Sequence, residues 1–252
     1  MIYPGIVSVT FRNLTPKEII DLSIEAGLAG IEWGGDVHVP HGDTVLAREV
    51  YKMTAESGLK VAAYGSYYRL GIEKEEPNTF DKVLATAIEL KAPVIRVWAG
   101  NKGSADADKE WWDKCIDESI QIAEMAQKEG IKVAYEYHQK TLTDTLKSCV
   151  KLLKSVNHEN MRSYWQPDGK MSPEDRAKSL KEILPWLENL HVHYGTSKGR
   201  QPIASGREWI KYLTIAKQLK EDRFAMIEFV KDGTREQFLD DAKALKEFIE
   251  LA

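Results

Sequence analysis

Cysteine is nearly missing from this sequence: Cys115 and Cys149 are the only two among 252 residues. Both fall inside helically patterned stretches, which marks them as buried thiols rather than a bridge or a metal pair. A reducing cytoplasm suits them. Long apolar runs are missing too. None approaches the roughly 20 residues a membrane span needs, and Met1 to Thr10 has neither the basic start nor the apolar stretch of a secretion signal. The expectation is a soluble, unprocessed, cytoplasmic protein. Nor is there a charge excess, since 35 basic side chains face 39 acidic ones for a net charge of −4. That balance leaves no electrostatic footprint for nucleic acid or an anionic membrane, so neither is expected as a partner. No glycine-rich phosphate loop follows the first apolar run, which argues against a dinucleotide-binding half. No low-complexity segment or Pro/Gly/Ser-rich linker breaks the chain, which reads as one domain over 1–252.

What is present is an alternation. Short apolar runs lie near Gly5 to Phe11, Ala29 to Trp33, Lys60 to Tyr64, Pro93 to Trp98, Lys132 to His138, Met161 to Gln166, Asn189 to His193 and Phe224 to Val230. Amphipathic stretches of helical length separate them, at a spacing of about thirty residues, the length of one βα unit. Helix starts are marked. Thr15-Pro16-Lys17-Glu18 sets an N-cap, a first-turn proline and a capping-box glutamate in register, and Ser172-Pro173-Glu174-Asp175 and Thr234-Arg235-Glu236-Gln237 repeat the device. Gly27, Gly58 and Gly130 follow helical stretches, where a left-handed residue closes a helix. Eight such units, with 43% hydrophobic composition to fill the interior, predict a single α/β domain, a (β/α)8 barrel. Residues at the C-terminal strand ends are then the functional candidates.

Strand alternation selects among them. In Lys132 to His138, Ala134, Glu136 and His138 share one face and Val133, Tyr135 and Tyr137 the other. Arg96 and Trp98 point inward from the fourth run. Tyr164, Gln166 and Asp168 share a face in the sixth, His191 and His193 in the seventh, and Glu228 points inward from the eighth. Glu136, Gln166, His193 and Glu228 thus converge near four consecutive strand ends. Two carboxylates about 4 Å apart repel by about 4 kcal/mol at an effective dielectric of 20. A divalent cation between them turns that repulsion into attraction, and two carboxylates with an imidazole suit Mn²⁺, Mg²⁺, Co²⁺ or Zn²⁺. The alternative is an interior of ion pairs and hydrogen bonds, for example Glu136 with Arg96.

Gly30 to His38, Tyr135-Glu136-Tyr137-His138 with Thr141 to Thr145, His191-Val192-His193, and Ile227 to Lys231 resemble the sugar phosphate isomerase/epimerase family of the xylose isomerase-like barrels. The resemblance spans almost the whole chain and rests on the order and spacing of motifs that are weak singly. It implies a divalent cation held by Glu136, the position of Gln166, His193 and Glu228. Gln166 departs from the family, which usually has aspartate there; a neutral amide oxygen weakens the site or leaves the metal out, and Asp168 is a possible substitute. The related ketose epimerases imply that Glu136 and Glu228 also carry the substrate proton while the cation stabilises an enediolate. The implied substrate is a small sugar, polyol or sugar phosphate, and the chain could form a homo-oligomer. His38, Tyr64, Arg96, His138 and Lys231 are read as groups for hydroxyls or a phosphate, and Trp98 as a stacking surface. Asp168 and Arg200, the latter in the loop Tyr194 to Arg200, complete the substrate-binding candidates. His138 has a second reading, as a brace for Glu136 or a loop backbone, and that loop a second one, as merely exposed and mobile.

The leading expectation is therefore an isomerase or epimerase. A lyase such as a keto-inositol dehydratase would use the same enolate chemistry and expel a hydroxyl. An abasic-site endonuclease would need more metal ligands than six histidines and a mildly acidic chain suggest. A sugar-binding protein with a decayed site is the non-catalytic alternative, motivated by Gln166.

Overall fold

Helix signals in the sequence become helices where they stand. Thr15 forms a full capping box with Glu18 at the start of α1, Pro16–Glu25. Ser172 accepts from the Asp175 N–H to open α6, Pro173–Ile183, and Thr234 accepts from the Gln237 N–H to open α8, Arg235–Leu251. Each cap satisfies a donor that the first helical turn leaves without a partner. Gly27, Gly58 and Gly130 take φ of +65°, +79° and +70°, the left-handed conformation that ends a helix at no steric cost to glycine. The remaining helices are α2, Thr44–Glu56; α3, Phe80–Glu89; α4, Lys109–Lys128; α5, Leu146–Val156; and α7, Glu208–Ala216.

The computed structural model describes residues 1–72, 79–169, 171–196 and 199–252. Its strands are β1, Ile2–Val7; β2, Gly30–Gly34; β3, Lys60–Arg69; β4, Val94–Trp98; β5, Lys132–Tyr135; β6, Met161–Trp165; β7, Leu187–Val192; the short pair β8, Tyr194–Thr196, and β9, Gly199–Gln201; and β10, Arg223–Ile227. Eight of them close in the order β1-β10-β7-β6-β5-β4-β3-β2. This is a (β/α)8 barrel. Its strands carry near-continuous apolar runs because helices cover the outer face and packed side chains the inner one. All five residues of β2 and all six of β7 are buried.

The chain divides into two compact units, Met1–Trp33, Met53–Ala62 and Trp165–Ala252 in one, Gly34–Lys52 and Ala63–Tyr164 in the other. The first is packed around Trp165, Trp209 and Tyr212, whose rings meet edge to face at 5.2 to 5.8 Å, and around Phe11 against Phe238. Gly30 is required there, since a Cβ would lie 2.6 Å from the Phe224 ring and 2.9 Å from the Lys60 carbonyl. The second unit buries Cys115, Cys149, Tyr64 and Tyr135. The Tyr135 hydroxyl donates to Ser119 on α4. Both cysteines are buried in helices, Cys115 in α4 and Cys149 in α5, and burial pushes the Cys149 thiol up to about 12.

Three local features differ from the sequence reading. β1 begins at Ile2 and ends at Val7, and Ser8–Phe11 turns into a 3-10 helix. β3 runs on to Arg69 through an irregularity between Gly65 and Tyr68, with Tyr67 at φ +55°. The segment from Tyr194 to Arg200 is read as a loop, but its described residues pair as the antiparallel β8–β9; Ser197 and Lys198 lie outside the described residues. No helix among the described residues is long and apolar enough to cross a membrane.

Candidate active site

Four strands end one residue short of a polar side chain: Glu136 follows β5, Gln166 follows β6, His193 follows β7 and Glu228 follows β10. Apolar β-branched and aromatic residues hold each strand in place, and the first residue past the ladder is free to carry chemistry.

In the first unit the cluster is built on Glu32, His191 and Glu228. Glu32 sits in β2 with no exposed surface, and its Oε2 lies 3.4 Å from His191 Nε2. The other ring nitrogen, His191 Nδ1, lies 3.5 Å from Glu228 Oε1. A buried imidazole between two carboxylates is held in one orientation by them. His193, two residues on, is pushed down to about 3, first by burial and then by Arg200, His191 and Arg176. It is a neutral imidazole near neutral pH. Gln166 and Asp168 are half-buried. The Asp168 carbonyl accepts from Arg176 Nε at 2.8 Å, which ties the loop after β6 to α6. Arg200, expected on substrate, donates instead to the Glu228 and Phe229 carbonyls, at 2.9 and 3.3 Å. Lys231 stands 3.8 Å from Asp232 with 41% of its side chain exposed.

The second unit supplies Arg96, Trp98, Glu136 and His138. Arg96 and the Trp98 indole N–H both donate to Glu136 Oε2, and Arg96 and Glu136 are 1% and 3% exposed. The ion pair weighed from sequence alone is therefore present. His138 stacks on Trp98 with ring centroids 4.4 Å apart, and the Arg69 guanidinium covers that indole at 3.9 Å. His138 Nδ1 faces the Gln139 carbonyl at 2.7 Å. The backbone is tied down as well: Glu136 N–H donates to the Val97 carbonyl, and Thr143 donates to the Glu136 carbonyl at 2.6 Å. Tyr64, expected to meet a sugar hydroxyl, is fully buried and donates to the Val39 carbonyl at 2.8 Å. Burial raises its pKa. His38 is buried, its N–H bonded to the Gly34 carbonyl. His41 is half-buried against the Ser66 carbonyl.

Glu136 is buried in the second unit, and His191 and Glu228 are buried in the first. His191 Nδ1 and Glu228 Oε1, 3.5 Å apart, are an imidazole nitrogen and a carboxylate oxygen of the kind that suits a hard or borderline divalent cation. The imidazole beside Glu228 is His191, where the sequence reading put His193. Glu32 and His191 were the members that strand reasoning left out. The signals were there: an interior carboxylate within an apolar strand needs a partner, and His191 shares the face of His193.

The model of the family described as xylose isomerase-like TIM barrel matches residues 20–248. The chain belongs to that family. The 3-dehydroshikimate dehydratase of Bacillus anthracis is 26% identical over 206 residues, 74% of this chain and 70% of that protein. The crystal structure of the probable 3-DHS dehydratase of petrobactin synthesis from Bacillus anthracis superposes with a TM-score of 0.82, at 22% identity, over 98% of this chain and 99% of that one. D-psicose 3-epimerase, crystallised in the presence of D-fructose, gives a TM-score of 0.73 at 16% identity, over 98% of each chain. At these identities the structural likenesses bear on the fold alone.

Proposed function

We propose that the chain is a metal-dependent enzyme that removes a proton next to the carbonyl of a small polyhydroxylated compound and completes the reaction by expelling water. The observation that carries this reading is the buried His191 and Glu228, ring nitrogen to carboxylate oxygen at 3.5 Å, and the 26% identical dehydratase supports the second half of it. Those two side chains would hold the cation, which would supply polarisation of the substrate carbonyl and so acidify the neighbouring C–H. Glu32 orients His191 through its Nε2. Arg96 and Trp98 fix the direction of the Glu136 carboxylate.

A carboxylate oxygen of Glu136 or Glu228 takes the proton, and the electron pair of the broken C–H bond moves toward the carbonyl oxygen. As that pair returns, the C–O bond at the β-carbon breaks, and a proton delivered to the departing oxygen completes a water molecule. The stacked His138 and Trp98 offer a flat face to a ring. A second reading keeps the oxygen and returns the proton to carbon, giving isomerisation or epimerisation. Two carboxylates, one to take the proton and one to return it, favour that reading.

The test is to supply the Mn²⁺-loaded protein with 3-dehydroshikimate and, separately, with a panel of ketoses and sugar phosphates in D₂O, and to follow the products by NMR. Dehydration yields an aromatic product and water; isomerisation incorporates deuterium with no loss of oxygen. Loss of water from the hydroxylated cyclohexenone supports the first reading, and deuterated sugar isomers alone would replace it with the second. An inert protein across all of these substrates would remove both.

A further inference from the structure

Glu228 stands where β10 stops, and the backbone around it is held more closely than a strand end requires. Its own N–H donates to the Val192 carbonyl at the end of β7, at 3.0 Å. Its carbonyl accepts from Arg200. The carbonyl before it and the N–H after it are both taken by a single hydroxyl. Thr10 Oγ1 donates to the Ile227 carbonyl at 3.2 Å and accepts from the Phe229 N–H at 3.0 Å. Thr10 is 217 residues away in sequence, in the 3-10 turn that follows β1. One side chain therefore bridges the residues on either side of Glu228.

The reason for a bridge lies in Phe229. It takes φ of +57°, a conformation that L side chains disfavour because Cβ crowds the following carbonyl. It is also 38% exposed, so burial of its ring does not hold it there. A residue in the left-handed region persists only where its surroundings over-determine it. The surroundings here are the Thr10 hydroxyl on its N–H, and the Arg200 guanidinium on its carbonyl and 5.3 Å over its ring. The turn sets the direction in which Glu228 leaves the sheet, and hence the 3.5 Å approach of its carboxylate to His191 Nδ1.

We infer that Thr10 is a positioning residue for Glu228: its hydroxyl locks the left-handed turn at Phe229 and so aims the Glu228 carboxylate at His191. The inference rests on the proposed function for the role of Glu228, but the clamp can be tested without turnover. Thr10→Val keeps the shape of the side chain and deletes the hydroxyl; Thr10→Ser keeps the hydroxyl and deletes the methyl. Hydrogen exchange at the Phe229 amide reads the clamp directly. It is expected to be slow in the wild type and in Thr10→Ser and faster in Thr10→Val, with the amides of β10 itself unchanged. An equally protected Phe229 amide in Thr10→Val overturns the inference.

Mn²⁺ affinity by titration calorimetry reads the consequence, because groups that orient metal ligands typically matter by about 10- to 100-fold. Thr10→Val should bind Mn²⁺ at least about tenfold more weakly, and Thr10→Ser within about twofold of the wild type. Lost protection with unchanged affinity would show that the turn does not aim Glu228. On a substrate the wild type turns over, the loss in Thr10→Val should fall on kcat with KM held. A wild type that binds Mn²⁺ and turns over no substrate sinks the proposed function while the exchange and affinity results still decide the clamp. A wild type that binds no Mn²⁺ refutes the cation-site role of Glu228 and with it the aiming claim, leaving the exchange result to judge the turn alone.

Discussion

Replacing Arg96 by methionine tests how the interior of the second unit tolerates Glu136. The guanidinium is 1% exposed and the carboxylate 4%, so neither has water to fall back on. Taking away one partner of a buried ion pair costs about 3–5 kcal/mol, because the charge left behind is desolvated and uncompensated. For a chain of this length each kcal/mol moves Tm by about 2–4 °C, so Arg96→Met should melt roughly 6–20 °C below the wild type. The Trp98 N–H remains on Glu136 and places the expectation toward the lower end. Glu136→Gln should cost a similar amount, since it leaves the buried Arg96 guanidinium without a counter-charge, eased only by the hydrogen bond that the amide oxygen can still accept. The double variant Arg96→Met/Glu136→Gln should recover most of the loss, as replacing both members of such a pair by neutral groups is often nearly neutral. Thermal melts of all four proteins, with urea titrations to give free energies, supply the cycle. Arg96→Met melting within about 2 °C of the wild type would mean that the pair contributes under about 1 kcal/mol. The reasoning about a buried carboxylate in need of a partner would then fail.

Three further outcomes are expected. Burial raises the Asp241 carboxyl to about 6, above the roughly 3.9 of an unfolded chain. Its contribution to stability is therefore fully present below about pH 4 and is lost as pH rises through about 6. Its Oδ1 accepts from the Ile203 N–H and Gln237, while Oδ2 is buried with no hydrogen-bond partner among the described residues. Asp241→Asn should accordingly flatten the fall in Tm between pH 4 and 6, and parallel profiles for the two proteins would refute this. Both thiols are buried, so Ellman's reagent should find none in the native protein and two after denaturation; fast native reaction would contradict their packing. Glu136→Gln and Glu228→Gln should each abolish turnover with the circular dichroism spectrum unchanged, and full activity in either variant removes that carboxylate from the reaction.

The barrel was legible because its signals are local. Capping boxes, closing glycines and apolar runs are read over a few residues, and α1, α6 and α8 begin where their caps stand. Glu136 and Glu228 were legible for a related reason: a carboxylate at the end of an apolar run is conspicuous, and alternation says which way it points. Depth along a strand is another matter. His191 and His193 share a face, and alternation cannot tell which of them meets a carboxylate supplied by another strand. The reading that began the seventh strand at Asn189 also left His193 inside it, whereas β7 spans Leu187–Val192. Glu32 and Thr10 were hidden for the same reason. Their partners, His191 and the Glu228 turn, lie 159 and more residues away in sequence, and only register brings them together. Arg200 and Tyr64 donate to backbone carbonyls. A polar side chain near a strand end reads as a ligand-binding group, but backbone carbonyls in a crowded turn compete for the same donors.

Each of the four polar residues beyond β5, β6, β7 and β10 is the first one after its ladder, so its Cα is anchored by the sheet rather than by whatever follows. The segments downstream can then be lengthened, shortened or exchanged between homologues while those anchor points stay put. Loop grafting from a relative with another substrate is thus the natural engineering route for this scaffold. It should transplant selectivity most cleanly when the cut is made at least one residue past each of these positions, and after Phe229 in the last.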